Sequence, residues 1–291
     1  MLWVTLSILA AIAWAFANII DKNVLHTQKP LTIILFANFI SIIAAVIVYF
    51  FLGFSKLSAL NIIIGLLVGL FYILGIYFYC LAVQGGEVSR VIPLFNMIPL
   101  FIMLLAAIFL GEILTPLNYI GSLILISGAI LISANKKTKL NIDKIFWLVV
   151  LGSLAFAINA VLQKYLLNFA DFWTVFSYER IGAFFALLPL LLIYYSDFKK
   201  FIKGTRKPIV LVSLSEVFNL IGLLLTTIAF SIGLVSLVKT LSSIQDLFVL
   251  FFVIMITTFW PKVLKEKIDK STIILKVIAI ILIGVGVFLI T

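Results

Sequence analysis

Charged residues are scarce in this sequence. They make up 11% of its 291 residues, while hydrophobic residues make up 65%. A soluble domain cannot cover its surface with so few charges, whereas lipid tolerates apolar surface without penalty. The scarcity of charge therefore excludes an ordinary soluble protein and predicts a polytopic α-helical membrane protein.

Metal ligands and catalytic motifs are also lacking. The chain has one cysteine, Cys80, and one histidine, so an intrachain disulfide is impossible and a metal site is not expected. The patterns HExxH, GxSxG and GxxxxGK[ST] do not occur, and there is no Asp-rich motif. We therefore predict no cofactor and no enzyme, and the missing phosphate-binding loop excludes ATP-driven pumping by this chain alone.

Acidic residues are few, 11 against 21 Lys and Arg, which gives a net charge of +10. The cations lie in short connections between apolar runs, without a basic face rich in exposed aromatics, so they favour contact with lipid headgroups and not with nucleic acid. Odd-numbered connections carry sixteen of the Lys and Arg, and even-numbered connections carry two. This bias predicts cytoplasmic odd loops and external termini in a plasma-membrane protein.

Apolar runs of membrane-spanning length recur along the whole chain. A spanning helix needs about 20 mostly apolar residues, and continuous apolarity excludes the alternating strands of a barrel. Ten spans are predicted, at 2–20, 31–53, 59–83, 88–110, 116–134, 145–167, 172–195, 208–231, 234–257 and 271–290.

The ten runs form two related sets of five. A basic loop, 136–144, separates a first repeat, 1–135, from a second repeat, 145–291. An odd number of spans per repeat forces the second copy to lie inverted relative to the first, an architecture of many secondary transporters. Residues that match at a constant offset of 147 are Gly75 with Gly222, Ala82 with Ala229, Gly86 with Gly233, Val88 with Val235, and Ser89 with Ser236; Trp14 with Lys22 matches Phe156 with Lys164 at 142.

Several short motifs resemble the EamA-like family of the drug/metabolite transporter superfamily. Trp14 is followed eight residues later by Lys22, and Gly111-Glu112-Ile113-Leu114-Thr115 is similar to that family's G-E-x-x-T junction between spans four and five. Asn38 in span two and Arg180 in span seven also fit the resemblance. The resemblance implies a carrier of small metabolites, often an exporter of amino acids or related compounds. It also implies cytoplasmic termini in many members, opposite to the charge bias here.

Polar and charged residues at bilayer depth are the candidate site. A charge at a helix centre costs about 2.5–3.5 kcal/mol on insertion scales, so such residues need partners or a wet cavity. Positions 239, 243 and 246 share one face of a continuous helix, and we expect Arg180 to pair with Glu216 or Asp246, and Lys239 with the remaining carboxylates. The candidates for substrate binding or gating are Glu179, Arg180, Glu216, Asn219, Lys239, Ser243 and Asp246 in the second half, and Trp14, Asn38 and Asn96 in the first half.

Two interpretations of these residues stay open. They line a central cavity that binds or gates the substrate, or they are structural ion pairs that join the later spans. The single asparagines have the further interpretation of hydrogen bonds between helices. Asn96 falls on Ser243 at the offset of 147, so both are predicted to face the axis between the repeats.

The leading hypothesis is a secondary transporter, an exporter of a small polar metabolite such as an amino acid, working by alternating access. Cations and carboxylates together suit a zwitterion, and Glu216 or Asp246 is the candidate for coupled protons. A lipid or polyprenyl-carrier flippase is the alternative, and an intramembrane enzyme acting on lipid-linked substrates is a weaker one. A homodimer in the bilayer is a further hypothesis.

Overall fold

The computed structural model describes residues 2–25, 28–85, 91, 94–133, 144–259 and 270–290, and every regular element within these ranges is an α-helix. Numbered in chain order, the helices are α1 (Leu2–Leu25), α2 (Pro30–Leu52), α3 (Ala59–Gly85), α4 (Ile98–Phe109), α5 (Pro116–Ser133), α6 (Lys144–Leu166), α7 (Phe172–Ile193), α8 (Tyr195–Lys203), α9 (Arg206–Ile232), α10 (Val235–Ser242), α11 (Gln245–Phe259) and α12 (Lys270–Ile290).

Within the described residues, seven segments are long and apolar enough to cross a bilayer, and three more apolar helices are shorter. α10 and α11 together make one of the seven, and the shorter three lie in α4, α5 and α12. Large hydrophobic side chains point outward from the bundle, with Phe50, Phe51 and Leu192 each more than four-fifths exposed. An aqueous surface would not present such side chains in numbers. The predicted all-helical, multi-pass membrane class is confirmed.

Three predicted boundaries are corrected. Span nine was expected as one helix over 234–257, but it is interrupted between α10 and α11. The predicted loop after span seven contains α8, whose Phe198 and Phe201 are buried while its lysines are exposed. A search for apolar runs misses such a helix because its hydrophobic residues occupy one face only. α4 begins at Ile98. Most of 88–93, and residues 136–143 of the predicted loop 136–144, lie outside the described residues.

The helices of the two halves interleave. α1 packs along α9, and α6 packs along α3, so the first helix of each half contacts the third span of the other half. α2 packs on α7, and α5 packs on α12. No half is thus a separate bundle, and every helix that carries a candidate residue touches the opposite half.

Glycines allow the closest of these contacts. A Cβ atom on Gly69 of α3 would lie 2.1 Å from the Ala183 nitrogen of α7, and one on Gly182 would lie 2.3 Å from the Leu66 oxygen. Gly75 makes room for the ring of Phe156, and Gly222 makes room for the indole of Trp14. Only the missing side chains permit this approach of backbone and ring.

Asp171 organises the connection between α6 and α7. It accepts hydrogen bonds from the Thr174 backbone at 3.0 Å, the Thr174 hydroxyl at 2.8 Å, and the Ser55 hydroxyl. Partial burial raises the pKa of Asp171, but these hydrogen bonds outweigh it and hold the pKa below its ordinary value of 3.8. The loop before α3 is thereby tied to the start of α7.

Asp171→Ala is expected to lower the free energy of unfolding by about 1 kcal/mol, because an N-cap acceptor is lost. Since the folded-state pKa is the lower one, this stabilisation is present at neutral pH and is lost as the pH falls below 3.8. Thermal unfolding of the purified protein in detergent at several pH values measures both effects. Asp197→Ala, which removes a partly exposed carboxylate in the first turn of α8 together with its surface ion pair to Lys29, should lower stability by less. Equal effects of the two variants would contradict the capping role.

Candidate functional site

Glu179 lies at the centre of a fully buried polar network. Asn159 donates to Oε1 of Glu179 at 2.9 Å, and Gln163 donates to Oε2 at 3.0 Å. The Asn159 amide also donates to the Val68 carbonyl at 2.9 Å, which links α6 to α3. The Glu179 side chain has no exposed surface. Its carboxylate is thus held by hydrogen bonds from another helix, as a buried charge requires.

Arg180 extends the network toward α3. Its Nη2 lies 3.0 Å from Oε1 of Glu179, and its guanidinium lies 4.3 Å from the centre of the Tyr72 ring. The expected pairing with Glu216 or Asp246 is therefore replaced by an ion pair with its own neighbour, supported by a cation–π contact. Adjacent helical residues point about 100° apart, but the long guanidinium arm bends back far enough to reach. Nε has no hydrogen-bond acceptor among the described residues, and the ion-pair contact of Nη2 with Glu179 lacks hydrogen-bond geometry.

Glu216 forms a second polar group between α2 and α9. The Ser41 hydroxyl donates to its carboxylate, and the Asn219 side chain, one turn further along α9, lies close to it. The preceding residue, Ser215, donates to Asp21 of α1 at 2.6 Å. Arg180 and Asp21 both lie within electrostatic range of Glu216. The two groups of buried charge therefore lie close enough for an electrostatic interaction.

Lys239 faces aromatic rings. Its ammonium lies 4.9 Å from the centre of the Trp14 ring and 5.6 Å from the centre of the Phe230 ring. Glu179 is the carboxylate within its electrostatic range. Trp14 reaches this position because Gly222 has no side chain. The predicted pairing of Lys239 with carboxylates is incomplete, because its ammonium also makes a cation–π contact with the indole of Trp14.

Two helices are interrupted at equivalent points. Asn96 and Met97 form a turn before α4, and Ser243 and Ile244 form a turn between α10 and α11. Asn96 donates to Asp246 at 2.9 Å, so the two interruptions are in direct contact. Ser243 and Asp246 therefore do not share one uninterrupted helical face, contrary to the prediction.

The backbone repeats its hydrogen bonds at the two turns. Met97 donates to the Leu94 carbonyl at 3.1 Å, and Ile244 donates to the Leu241 carbonyl at 3.1 Å. Two further bonds occur in both turns at the same offset of 147 and the same lengths. The Met97 carbonyl accepts from the backbone of Leu100 at 3.0 Å and of Phe101 at 3.3 Å. The Ile244 carbonyl accepts from the backbone of Leu247 at 3.0 Å and of Phe248 at 3.3 Å.

A pair of opposite charges clamps the turn between α9 and α10, and we call Lys164 and Glu112 the turn clamp. Lys164 donates to the carbonyls of Phe230 at 2.6 Å and Gly233 at 2.8 Å, at the end of α9. Glu112 accepts from the backbone of Val235 at 2.8 Å and of Ser236 at 3.2 Å, at the start of α10. Each charge matches the helix end that it contacts, since carbonyls are exposed at C-termini and amides at N-termini.

The comparisons with known proteins bear on the first half of the chain and on the fold. Residues 1–134 match the model of the EamA-like transporter family, part of the drug/metabolite transporter superfamily. The first half of the chain is similar to that family. A solved crystal structure shares the fold, with a TM-score of 0.75 over 99% of this chain and 96% of that chain, at 14% identity. No curated protein matches the chain significantly in sequence. The chain is accordingly a multi-pass membrane protein whose first half resembles transporters of small molecules.

The structure explains the EamA-like junction motif in physical terms. Gly111 has a φ of +66°, a conformation that ends α4 and that other residues rarely adopt. The next residue, Glu112, is buried and turns to the start of α10. Thr115 then accepts from the Asn118 backbone at 3.2 Å and caps α5. Glycine, glutamate and threonine each serve a different helix end.

Not all predicted residues come together. Six of them lie in linked groups: Glu179, Arg180, Glu216, Asn219, Lys239 and Trp14. Asn96 and Asp246 form a separate contact, which joins the two helix interruptions. Asn38 is buried on α2, and its amide nitrogen has no partner among the described residues. The sequence analysis did not include several residues of these polar groups among the site candidates: Asn159, Gln163, Ser41, Asp21 and the turn clamp. The spacing of Asn159 and Gln163, one turn apart in an apolar span, was the signal that would have found the first two.

Gly69→Val is expected to reduce the yield of folded protein, because its side chain would meet the α7 backbone at Ala183 and Glu179. Overpacking typically costs about 1–3 kcal/mol, and contact with the rigid backbone of α7 puts this site at the upper end. Size-exclusion profiles and thermal unfolding in detergent measure the loss. Gly284→Ala, where an added Cβ meets nothing within 4 Å, is the control and should be neutral or slightly stabilising. Similar behaviour of the two variants would contradict the close α3–α7 contact.

Proposed function

We propose that this chain is a secondary transporter that exports a small polar metabolite, such as an amino acid, by alternating access around the buried polar groups. The EamA-like match supports transport of small molecules. The resemblance to exporters of amino acids supports the direction and the substrate class. The residues proposed to bind or gate the substrate are those predicted from the sequence apart from Glu179. Asn159, Gln163 and Ser41 are proposed as supports that hold the carboxylates of Glu179 and Glu216.

The paired helix interruptions, joined by Asn96 and Asp246, carry this proposal. Interrupted helices leave backbone groups without intrahelical partners, and at membrane depth these are tolerated where they line a cavity or are buried in protein. Transporters use such interruptions near the midplane to bind substrates and ions. Asp246 begins α11 directly after one interruption, and Asn96 lies in the other.

An inverted repeat is part of the proposal. The two turns with matching hydrogen bonds support it, as do the reciprocal packing of α1 on α9 and of α6 on α3. Trp14 packs on Gly222, and Phe156 packs on Gly75. The two aromatic residues match at an offset of 142, and the two glycines match at an offset of 147. Two copies related in this way can exchange conformations, which is the basis of alternating access.

The charges suit a zwitterionic substrate. Arg180 is 1% exposed, and its Nε and Nη2 make no hydrogen bond among the described residues, although Nη2 is ion-paired with Glu179. A carboxylate would satisfy such a fork in a bidentate manner. Glu216 and Asp246 are the proposed partners for an amine or a coupled proton. Glu179 is saturated by Asn159, Gln163 and Arg180, so we assign it the structural task of orienting Arg180.

The turn clamp is proposed as the gate at the end of the bundle that contains the chain termini. Val235, Ala229 and Phe230 pack beside it in a core with the small residues Ala157 and Ala160 of α6. Opening this end requires Lys164 and Glu112 to release the α9–α10 turn. The charge bias of the loops would place this gate outside the cell, so the structure would correspond to a conformation closed to the exterior.

Lys239→Met and Asp246→Asn are expected to abolish flux, at least about a hundredfold, while folding is retained, because a transported substrate must exchange contacts with these groups. Flux is measured in proteoliposomes with a panel of amino acids, amines and phosphates, with and without a proton gradient. Lys56→Gln removes an exposed lysine of a short loop and should transport normally. Glu179→Gln should instead reduce the amount of folded protein, since it weakens a saturated network.

Loss of folded protein in Lys239→Met and Asp246→Asn, without a specific flux defect, would favour purely structural ion pairs. Transport of a labelled lipid by the unmodified protein, with no flux of soluble compounds, would favour the flippase alternative. If an imposed pH gradient does not change the flux, proton coupling would be excluded, and the proposal of a substrate carrier would stand.

Lys164→Met is expected to open the proposed gate more often. Charge-assisted hydrogen bonds contribute about 1.5–3 kcal/mol each, so exposure beneath the turn should rise at least about tenfold. Thr227, which is fully buried below the turn, is replaced by Cys in a Cys80→Ala background, and its labelling by a membrane-impermeant maleimide is timed. Lys56→Met removes the same charge from a neighbouring loop and should leave the labelling rate unchanged. Equal rates in the two variants would contradict a gating role for Lys164.

A further inference from the structure

Five cations follow one another where α8 ends and α9 begins, and we call them the basic ridge: Lys199, Lys200, Lys203, Arg206 and Lys207. All five side chains are exposed, and residues 199–207 contain no acid. Asp197, just before the ridge, is paired with Lys29 at 2.9 Å. Hydrogen bonding and the positive charges of Lys29 and Lys200 hold the pKa of Asp197 below its ordinary value. The ridge therefore keeps a strong excess of positive charge.

The ridge is held at one end of two spanning helices. A single residue, Tyr194, separates α7 from α8, and Gly204 and Thr205 separate α8 from α9. Phe198 stacks on Phe39 with ring centres 5.4 Å apart, and Phe201 contacts the ring of Phe36 at 5.4 Å. This anchoring fixes α8 against α2, so the cations lie at the level where spanning helices leave the hydrocarbon.

An exposed apolar stripe runs from the ridge along α9. Arg206, Val210, Leu214, Val217 and Ile221 follow at spacings of three or four residues, which places them on one helical face. The four apolar side chains are 61%, 45%, 46% and 44% exposed, respectively. From Arg206 to Ile221 the helix rises about 22 Å, longer than one leaflet of a hydrocarbon core of about 30 Å.

We propose that this face of α9 binds an anionic glycerophospholipid, with its phosphate at Arg206 and Lys207 and one acyl chain along the stripe. Guanidinium groups bind phosphate oxygens in a bidentate manner, and lysine adds a point charge. A zwitterionic lipid carries a compensating ammonium, so charge complementarity selects the anionic headgroup. The site is independent of the transported substrate, because no residue of the buried polar groups lies on the stripe.

The test is lipid retention by the full chain, measured by native mass spectrometry with phosphatidylglycerol or phosphatidylcholine added to the detergent-purified protein. The unmodified protein should retain phosphatidylglycerol preferentially. The double variant Arg206→Gln with Lys207→Gln should weaken that retention at least about tenfold. The matched control, Lys199→Gln with Lys200→Gln, removes the same charge from α8 and should retain the lipid.

A second arm addresses the acyl chain. Leu214→Ala with Val217→Ala should weaken retention of phosphatidylglycerol without changing the charge of the ridge. Equal losses in the two charge variants would overturn the proposal in favour of diffuse attraction to the ridge. Equal retention of the two lipids, no effect of the stripe variant, or displacement of the lipid by soluble glycerol phosphate would also overturn it.

Discussion

The polar groups inside this bundle are governed by one constraint, the absence of water at hydrocarbon depth. A carboxylate such as Glu179 persists there because Asn159, Gln163 and Arg180 replace its hydration. Because these partners lie on α6 and on α7 itself, and Asn159 also reaches α3, satisfying one charge positions three helices. Glycines at 69 and 182 then let α3 and α7 approach closely beside this network.

The same constraint explains how the helix interruptions are stabilised. Backbone groups released at Met97 and Ile244 are satisfied by short-range turns, and the polar side chains of Asn96 and Asp246 meet between them. Two such turns with matching hydrogen bonds at equivalent places favour a common origin of the halves. Their contact near the middle of the bundle is where a substrate would meet both halves at once, which connects the local geometry to the proposed transport.

Helix ends provide the second organising element. The turn clamp uses a lysine for exposed carbonyls and a glutamate for exposed amides, so the α9–α10 turn is stabilised by residues of α6 and of the α4–α5 junction. A tight turn held by charges from other helices can change only when those helices move. This couples the end of the bundle to its centre, since α6 also carries Asn159 and Gln163.

The sequence by itself determined the membrane class, the position of the long apolar segments, and the charged residues within them, because these depend on composition and on segment length. The resemblance of the first half to EamA-like transporters was also readable from Trp14, Lys22 and the Gly111 to Thr115 junction. Pairing was decided by tertiary structure alone. Arg180 was expected to pair with Glu216 or Asp246, yet it pairs with Glu179, and Lys239 meets the indole of Trp14. Partner choice in a low-dielectric interior depends on separations of a few ångströms between helices, and spacing along the chain carries no information about them.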